Sequence, residues 1–475
     1  MAKLLFLQNI DYEFMGPMYL SAILKDHGHQ CDLILGQKWD DFKAKIESFK
    51  PDMVGFSIMS GSHHWARNMA RTIKAETGIP NIFGGSHPTF FSEFIQEEGV
   101  DYLIRGEGEE SLLELMNRLD QGDSFQDVPN LSFLQDGKAV HNPLRNLSKR
   151  LDDLPYPDRE LYNDLDNRQD RRVRNVITSR GCPWHCTFCF EDAMRDLYKG
   201  KGKYVRIREM DEVIEECRRL KNETEVEVIY FADDVFGMSR SWLYEFLEIY
   251  KREIGLEFIC LVRADLVAAD KKYAFKLAEA GCRSVFFGVE SGNEDLRNQL
   301  LKKQLTDEQI VTAAGWLHEA GIKFRTYNIL GLPDETLEDA FSTLELNIRI
   351  KADYPWCSLF SPFPGTELTD YAYAKGYLSP TFDVETLDKS FFLESKLEVP
   401  NIREMQNLQK FFQTAVLWPW TYPLIKRLIY LRPNFLFKAW FGLIYFYVYI
   451  RSEKRNFWDT LKFALKNYQH VLAKE

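Results

Sequence analysis

Residues 179–190 read SRGCPWHCTFCF, a stretch that sets Cys182, Cys186 and Cys189 at CxxxCxxC spacing, with a glycine before the first cysteine and Phe188 before the last. Three thiols this close suit a metal, because thiolates are soft ligands for zinc and for iron–sulfur clusters. Structural zinc needs a fourth Cys or His at short spacing. His185 lies inside the loop, and no second CxxC follows. The pattern favours a four-iron cluster with one iron left open over zinc, and over inert core cysteines.

Around the loop, short apolar runs alternate with amphipathic stretches. VRNVITSR precedes it, and then come a helix near 209–221, EVIYFADD, a helix near 241–252, LEFICLVRAD, a helix near 270–280, SVFFGVESG, a helix near 307–320, IKFRTYNILGLPDET and a helix to about 350. Five or six βα units in sequence predict a full or partial β/α barrel (a TIM-barrel relative) whose site gathers at the C-terminal strand ends, where the cysteines fall. Residues 1–135 alternate in the same way in shorter units, from KLLFLQN to ESLLELMNRL, and predict a doubly wound, Rossmann-type parallel sheet. Between them, 136–171 reads as a linker with LDDLPYPDRE at its centre, and NLSFLQDGKAVHN as a hairpin. The barrel is expected over 172–385 and a helical region over 386–475.

Composition narrows the function. The chain has 475 residues, 45% of them hydrophobic and 28% charged, and suggests two or three domains. A net charge of −11 argues against nucleic acid as a partner. The other cysteines, Cys31, Cys217, Cys260, Cys282 and Cys357, are scattered, which fits a reducing compartment better than a disulfide framework. The short apolar run LLFL near the start reads as a buried strand, so a cytoplasmic protein is expected.

The cysteine spacing and the strand-end motifs after it resemble the radical S-adenosylmethionine superfamily over about 172–385. That resemblance implies that Cys182, Cys186 and Cys189 hold a 4Fe-4S cluster, with Phe188 beside it, and that S-adenosylmethionine chelates the open iron. In YFADDVF (230–236), Asp233 and Asp234 would accept from the methionyl ammonium. In LVRAD (261–265), Arg263 would pair with the methionyl carboxylate. In FFGVESG (286–292), Glu290 and Ser291 would bind ribose or the methionyl group, and NILGLPDET (328–336), including Leu330, would lie near adenine and ribose. Each motif alone also reads as a helix cap; their order after the cysteine loop gives them weight.

A parallel-sheet domain ahead of such a barrel resembles the cobalamin-binding subfamily, whose DxHxxG, SxL and GG elements correspond to DYEFMG (Asp11, Glu13, Gly16), SIM beginning at Ser57, and Gly84–Gly85. RGEGEE, with Gly106 and Glu107, resembles its closing loop. The departure is Glu13, which stands where the motif has a cobalt-ligating histidine. A corrinoid would then bind without that imidazole. The other reading of this domain is a flavodoxin-like fold that has lost cobalamin.

The C-terminal region is aromatic and basic, with ten Lys or Arg against three Asp or Glu from residue 416 onward. Its longest uncharged apolar run, AWFGLIYFYVYI (439–450), has 12 residues, short of the roughly 20 that span a bilayer. An interfacial helix on anionic lipid, or else a helical cap on the barrel or an oligomer interface, is expected instead. Taken together, the resemblance implies reductive cleavage of S-adenosylmethionine and a 5'-deoxyadenosyl radical, with an electron from flavodoxin or ferredoxin. The expected outcome is cobalamin-dependent methylation of an apolar, lipid- or tetrapyrrole-like substrate. The alternatives are a rearrangement, cyclisation or carbon–carbon coupling, or a non-catalytic carrier.

Overall fold

KLLFLQ forms β1 (Lys3–Gln8), and its alternate side chains enter two separate apolar clusters, Leu4 and Phe6 in one and Leu5 and Leu7 in the other. A strand apolar on both faces belongs inside a parallel sheet covered by helices on both sides. The computed structural model describes residues 1–10, 12–163, 172–223, 225–379, 382, 394–453, 457, 458 and 460–462. It divides into two units, Met1–Arg171 with Met194–Arg206, and Arg172–Ala193 with Ile207–Glu475.

In the front unit β1 is followed by α1 (Met15–Asp26), β2 (Gln30–Leu35), α2 (Trp39–Phe49), β3 (Met53–Ser57), α3 (His63–Thr77), β4 (Asn81–Gly84), α4 (Ser86–Phe90), β5 (Tyr102–Ile104), α5 (Glu109–Gln121), β6 (Leu131–Gln135) and β7 (Lys138–His141). The sheet order is β2-β1-β3-β4-β5-β6-β7, parallel through β5 and antiparallel at the last two. The expected hairpin is therefore the edge of this sheet, and the sheet runs past residue 135 to His141. Strand order reverses between β1 and β3, which makes their C-terminal ends the place for a ligand. The β1–α1 loop with Glu13, and Ser57 at the end of β3, lie there.

The second unit contains β8 (Val173–Val176), β9 (Ser179–Arg180), α6 (Phe190–Leu197, shared with the front unit), β10 (Arg206–Ile207), α7 (Met210–Lys221), β11 (Val228–Phe231), α8 (Arg240–Glu253), β12 (Glu257–Leu261), α9 (Ala264–Ala268), α10 (Lys271–Glu279), β13 (Cys282–Glu290), α11 (Asp307–Glu319), β14 (Lys323–Leu330), α12 (Leu337–Arg349), β15 (Tyr354–Leu359), α13 (Glu367–Ala374), α14 (Ile402–Leu417), α15 (Tyr422–Leu428) and α16 (Phe435–Glu453). Its main sheet has six parallel strands in the order β15-β14-β13-β12-β11-β8. Chain order equals sheet order, as in a β/α barrel, and the six strands among the described residues make a partial one. The helix starts are written locally. Thr306 with Gln309, and Thr336 with Asp339, form reciprocal capping boxes at α11 and α12.

Alternation sorts the side chains of these strands. Ile229, Phe231, Phe258, Cys260, Val285 and Phe287 enter the large core under the helices. Their neighbours Tyr230, Ile259, Leu261, Phe286 and Tyr327 form a smaller apolar cluster on the other face. The last strand is an edge, and α14 covers it. Gln409 and Gln413 each donate a 3.0 Å hydrogen bond to the carbonyls of Cys357 and Pro355, satisfying an edge that would otherwise invite another strand. α16 then packs on α14, with Phe437 edge-on to Phe411 at 4.8 Å.

Gly292, just past β13, tests this packing. A Cβ there would collide with the backbone of Ser342 and Thr343 in α12, and the Gly292 N–H donates to Thr343 Oγ1 at 2.8 Å. Gly292→Ala is expected to lower stability by about 2–3 kcal/mol, read as a fall in the denaturant midpoint at unchanged slope.

Candidate active site

The cysteine loop leaves β8 and is held by its surroundings. Gly181 takes φ +85°, a left-handed turn that favours glycine ahead of Cys182. Cys189 N–H closes a turn on the Cys186 carbonyl at 3.1 Å. Buried Thr187 donates its N–H to Leu301 O at 3.2 Å and its hydroxyl to Leu300 O at 2.7 Å, so the loop is pinned to the segment before α11. None of the three cysteines is in a disulfide, and all are partly exposed. Burial raises Cys182 to about 11 and Cys189 to about 12. It raises Cys186 as well, where Lys303 and Arg263 pull the other way.

The Asp-Asp pair at the end of β11 is divided between two tasks. Asp233 is 2% exposed, and its Oδ1 accepts from Thr178 N (3.0 Å), Thr178 Oγ1 (2.9 Å) and Ser179 Oγ (2.6 Å). That oxygen fastens the entry to the cysteine loop. Asp233 Oδ2 is buried with no hydrogen-bond partner, and burial raises the carboxyl pKa to about 7. Asp234 is exposed, accepts the Gly181 N–H and raises the Cys182 thiol through its charge. Alternation explains the split, since Asp233 continues the core-facing row of Ile229 and Phe231.

The later strand ends need similar sorting. Arg263 donates to both oxygens of Asp265 (3.0 and 3.3 Å) and to Lys303 O (2.8 Å), and it stacks on Trp184 of the cysteine loop at 4.3 Å. It therefore braces the loop, and these bonds occupy its Nε and one of its terminal nitrogens. Glu290 is buried at φ +64° and receives a 2.6 Å hydrogen bond from Lys303 Nζ, which lies 5.8 Å from the Phe188 ring. Ser291 is fully buried, and its hydroxyl accepts the Asn293 N–H at 3.2 Å, so it caps the turn after β13. Leu330 is fully buried in the helix-side core. Its neighbour Ile329 packs in the same cluster as Phe188. Below it, Glu335 Oε2 accepts from Gly331 N and Leu332 N (2.5 and 3.1 Å) and shapes that loop.

Lys303, Trp184 and Glu335 were not singled out in the sequence. Lys303 lies outside every motif, and only its pairing with Glu290 across 13 residues marks it. A Cβ at Gly288 would run into Glu290 Oε1 and come within 2.6 Å of Lys303 Nζ, so the glycine of FFGVESG makes room for that pair.

The donor set fits a cluster. Among the described residues no three His, Cys, Asp or Glu side chains gather closely enough for a single metal ion. A four-iron cluster needs no such closeness, because each thiolate takes its own iron. Lys303 and Arg263 near Cys186 favour thiolate and an anionic cluster.

In the front unit, Asp11 lies outside the described residues. Glu13 is buried in the β1–α1 loop. Tyr162 accepts the Phe14 N–H at 3.3 Å and donates to Gln8 Oε1 at 2.9 Å, fixing that loop. A Cβ on Gly16 would sit 3.8 Å from Ser57 Oγ, and one on Gly84 would meet nothing within 4 Å, so the space over these strand ends is open, as a corrinoid requires. Gly85, at φ +100°, must be glycine, since a Cβ would fall 2.5 Å from Ile58 O. Gly106 approaches the Tyr198 hydroxyl so closely that a Cβ would overlap it. Glu107 receives the Arg206 guanidinium, so the closing loop is tied within its own unit. His29 accepts from Ala2 N and bonds Asn117, and His27 bonds Ile23 O. Among the described residues His63, His64 and His87 form a ring stack with centroids 4.0 and 4.1 Å apart.

The buried Asp233 carboxyl is costly when ionised. A folded pKa near 7 against about 3.9 unfolded means that stability falls as pH rises from about 4 to about 7. Asp233→Asn removes that term, so its stability relative to wild type should improve over this window, by at most about 4 kcal/mol, in denaturant titrations at stepped pH.

The Radical SAM superfamily matches residues 176–346, and the B12 binding domain matches residues 10–116. An uncharacterized methyltransferase of Pyrococcus horikoshii is 29% identical over 372 residues, 77% of this chain and 79% of that one. The anaerobic magnesium-protoporphyrin IX monomethyl ester cyclase of Rubrivivax gelatinosus is 26% identical, covering 83% and 72%. The radical S-adenosylmethionine methyltransferase TsrM from Kitasatospora setae, solved with cobalamin and a [4Fe-4S] cluster, superposes with a TM-score of 0.65 at 20% identity, covering 80% and 76%. The protein is thus an enzyme whose cofactors are a 4Fe-4S cluster, S-adenosylmethionine and cobalamin. With its three thiols at the mouth of a partial barrel and a corrinoid-type sheet ahead of them, the chain belongs to the radical S-adenosylmethionine superfamily, in the subfamily with a B12-binding domain.

Proposed function

We propose that the enzyme transfers a methyl group to an unactivated carbon of an apolar substrate. The observation that carries the substrate class is the face of the barrel sheet turned away from the helix-side core. Tyr230, Leu261, Phe286 and Tyr327 lie on it, and Arg325 is its cation, held between the rings of Phe286 (4.2 Å) and Trp356 (5.1 Å). Such a surface favours an apolar or planar molecule over a sugar, and the arginine suits one anionic group on it. When bound, the cofactors supply the electron that cleaves S-adenosylmethionine to methionine and a 5'-deoxyadenosyl radical, and a methyl group carried on cobalt.

The chain's own residues do the rest. Cys182, Cys186 and Cys189 hold the cluster. Asp234 accepts from the methionyl ammonium. Glu290, fixed by Lys303, offers its second oxygen to hydroxyl groups of the ribose. Arg263 and Trp184 keep the loop rigid, so that little is lost to reorganisation during the reaction. The electron is supplied by a small reductant such as flavodoxin or ferredoxin. Glu13 favours one further reading. With no histidine at that position, the front domain would serve a cyclisation, rearrangement or coupling without donating methyl.

Anaerobically reconstituted protein should cleave S-adenosylmethionine, and Cys186→Ala should abolish cleavage. With methyl-labelled S-adenosylmethionine, label in the product marks methyl transfer; an unlabelled, altered product marks the second reading. Bound cob(II)alamin is expected to give an electron paramagnetic resonance spectrum insensitive to nitrogen-15 labelling of histidine in the wild type and sensitive to it in Glu13→His.

A further inference from the structure

We propose that the surface of α15, α16 and the turns around them docks on an anionic lipid surface, with α16 lying in the plane of the interface. α16 carries two apolar stripes. Phe437, Phe441, Ile444 and Val448 are buried and face the body of the unit. One position back in each case, Leu436, Trp440, Leu443 and Tyr447 recur at the same helical spacing, about 100° round the axis, and are exposed. Leu436 is 72% and Leu443 65% exposed, and Trp420, on the turn before α15, and Phe435, at the start of α16, reach 79% and 78%. A helix apolar on two sides is ordinarily covered on both, and a surface this rich in large apolar groups marks an interaction site.

Charge identifies what covers it. From Met405 to Ser452 there is no Asp or Glu, against six Lys or Arg, in a chain of net charge −11. Arg427, Arg432 and Lys438 are exposed and have no ion-pair partner among the described residues. Exposed Trp, Leu and Phe on elements that also carry these bases match the interface of an anionic bilayer, where aromatics sit at headgroup depth and each base is attracted to the lipid. A second copy of the chain would bring the same bases into contact and repel. No helix among the described residues is long and apolar enough to cross a membrane, so the contact lies along the surface. The inner side of α16 reaches the barrel sheet, with Tyr445 edge-on to Trp356 at 4.9 Å and Ser452 Oγ accepting from Arg325 at 2.7 Å. One helix thus joins the lipid-facing surface to the proposed substrate face.

The test is flotation of the full chain, cluster reconstituted, with vesicles of phosphatidylcholine alone and of equal parts phosphatidylcholine and phosphatidylglycerol. Binding to the anionic vesicles is expected. Neutralising Arg427, Arg432 and Lys438 to Gln should weaken it about a hundredfold. Leu436→Glu with Leu443→Glu should also release the protein, at unchanged circular dichroism and unchanged S-adenosylmethionine cleavage in solution. No flotation, flotation unaffected by either variant, or equal flotation with both vesicles overturns the proposal. So does a dimer, seen by light scattering, that the two glutamates dissolve, since the face would then belong to a second copy.

Discussion

The alternation of side chains along parallel strands constrains everything at this site. Each strand of the barrel sheet must bury one row under the helices and present the next row to the opposite face. At the C-terminal ends that rule continues past the last hydrogen-bonded residue. It sends Asp233 inward to Thr178 and Ser179 and leaves Asp234 beside Cys182. The same rule buries Leu330 in the core and turns Ile329 toward the cluster that holds Phe188. A motif of adjacent residues therefore splits into a fastener and a contact.

Around the thiols the protein has concentrated buried polar groups that hold one another. Lys303 and Glu290 pair at the loop's base, Arg263 grips Asp265 and stacks on Trp184, and Glu335 gathers two backbone N–H groups. Buried charges are costly unless paired, and pairing in fixed geometry rigidifies what it touches. Among the described residues the buried carboxylate oxygens Asp233 Oδ2 and Glu335 Oε1 have no hydrogen-bond partner, and both carboxyls are raised by burial. They lie in the loops that follow β11 and β14, so part of the folding free energy is spent on holding those loops in shape.

The element pattern was legible from periodicity. Helices expected near 209–221, 241–252 and 307–320 appear as Met210–Lys221, Arg240–Glu253 and Asp307–Glu319. Helix starts and strand ends are encoded within a few residues, by Thr caps, glycines and apolar spacing, so a local reading finds them. The cysteine loop was legible for the same reason. Lys303, Trp184 and Tyr198 were not, because their partners are Glu290, Arg263 and the Gly106–Glu107 turn, remote in sequence and adjacent only after folding.

What the amino-acid order determined alone is the kind of chemistry. Three thiols at CxxxCxxC spacing after a strand, and a glycine-marked parallel sheet ahead of them, constrain cofactor class through local geometry. Tertiary structure decided which partners the acidic and basic residues meet. It gave Asp233 the Thr178 and Ser179 groups, Arg263 the Lys303 carbonyl and Glu107 the Arg206 guanidinium, because these come together only after folding. It also left the outer stripe of α16 exposed among the described residues, since a helix can bury only the side that meets its neighbours.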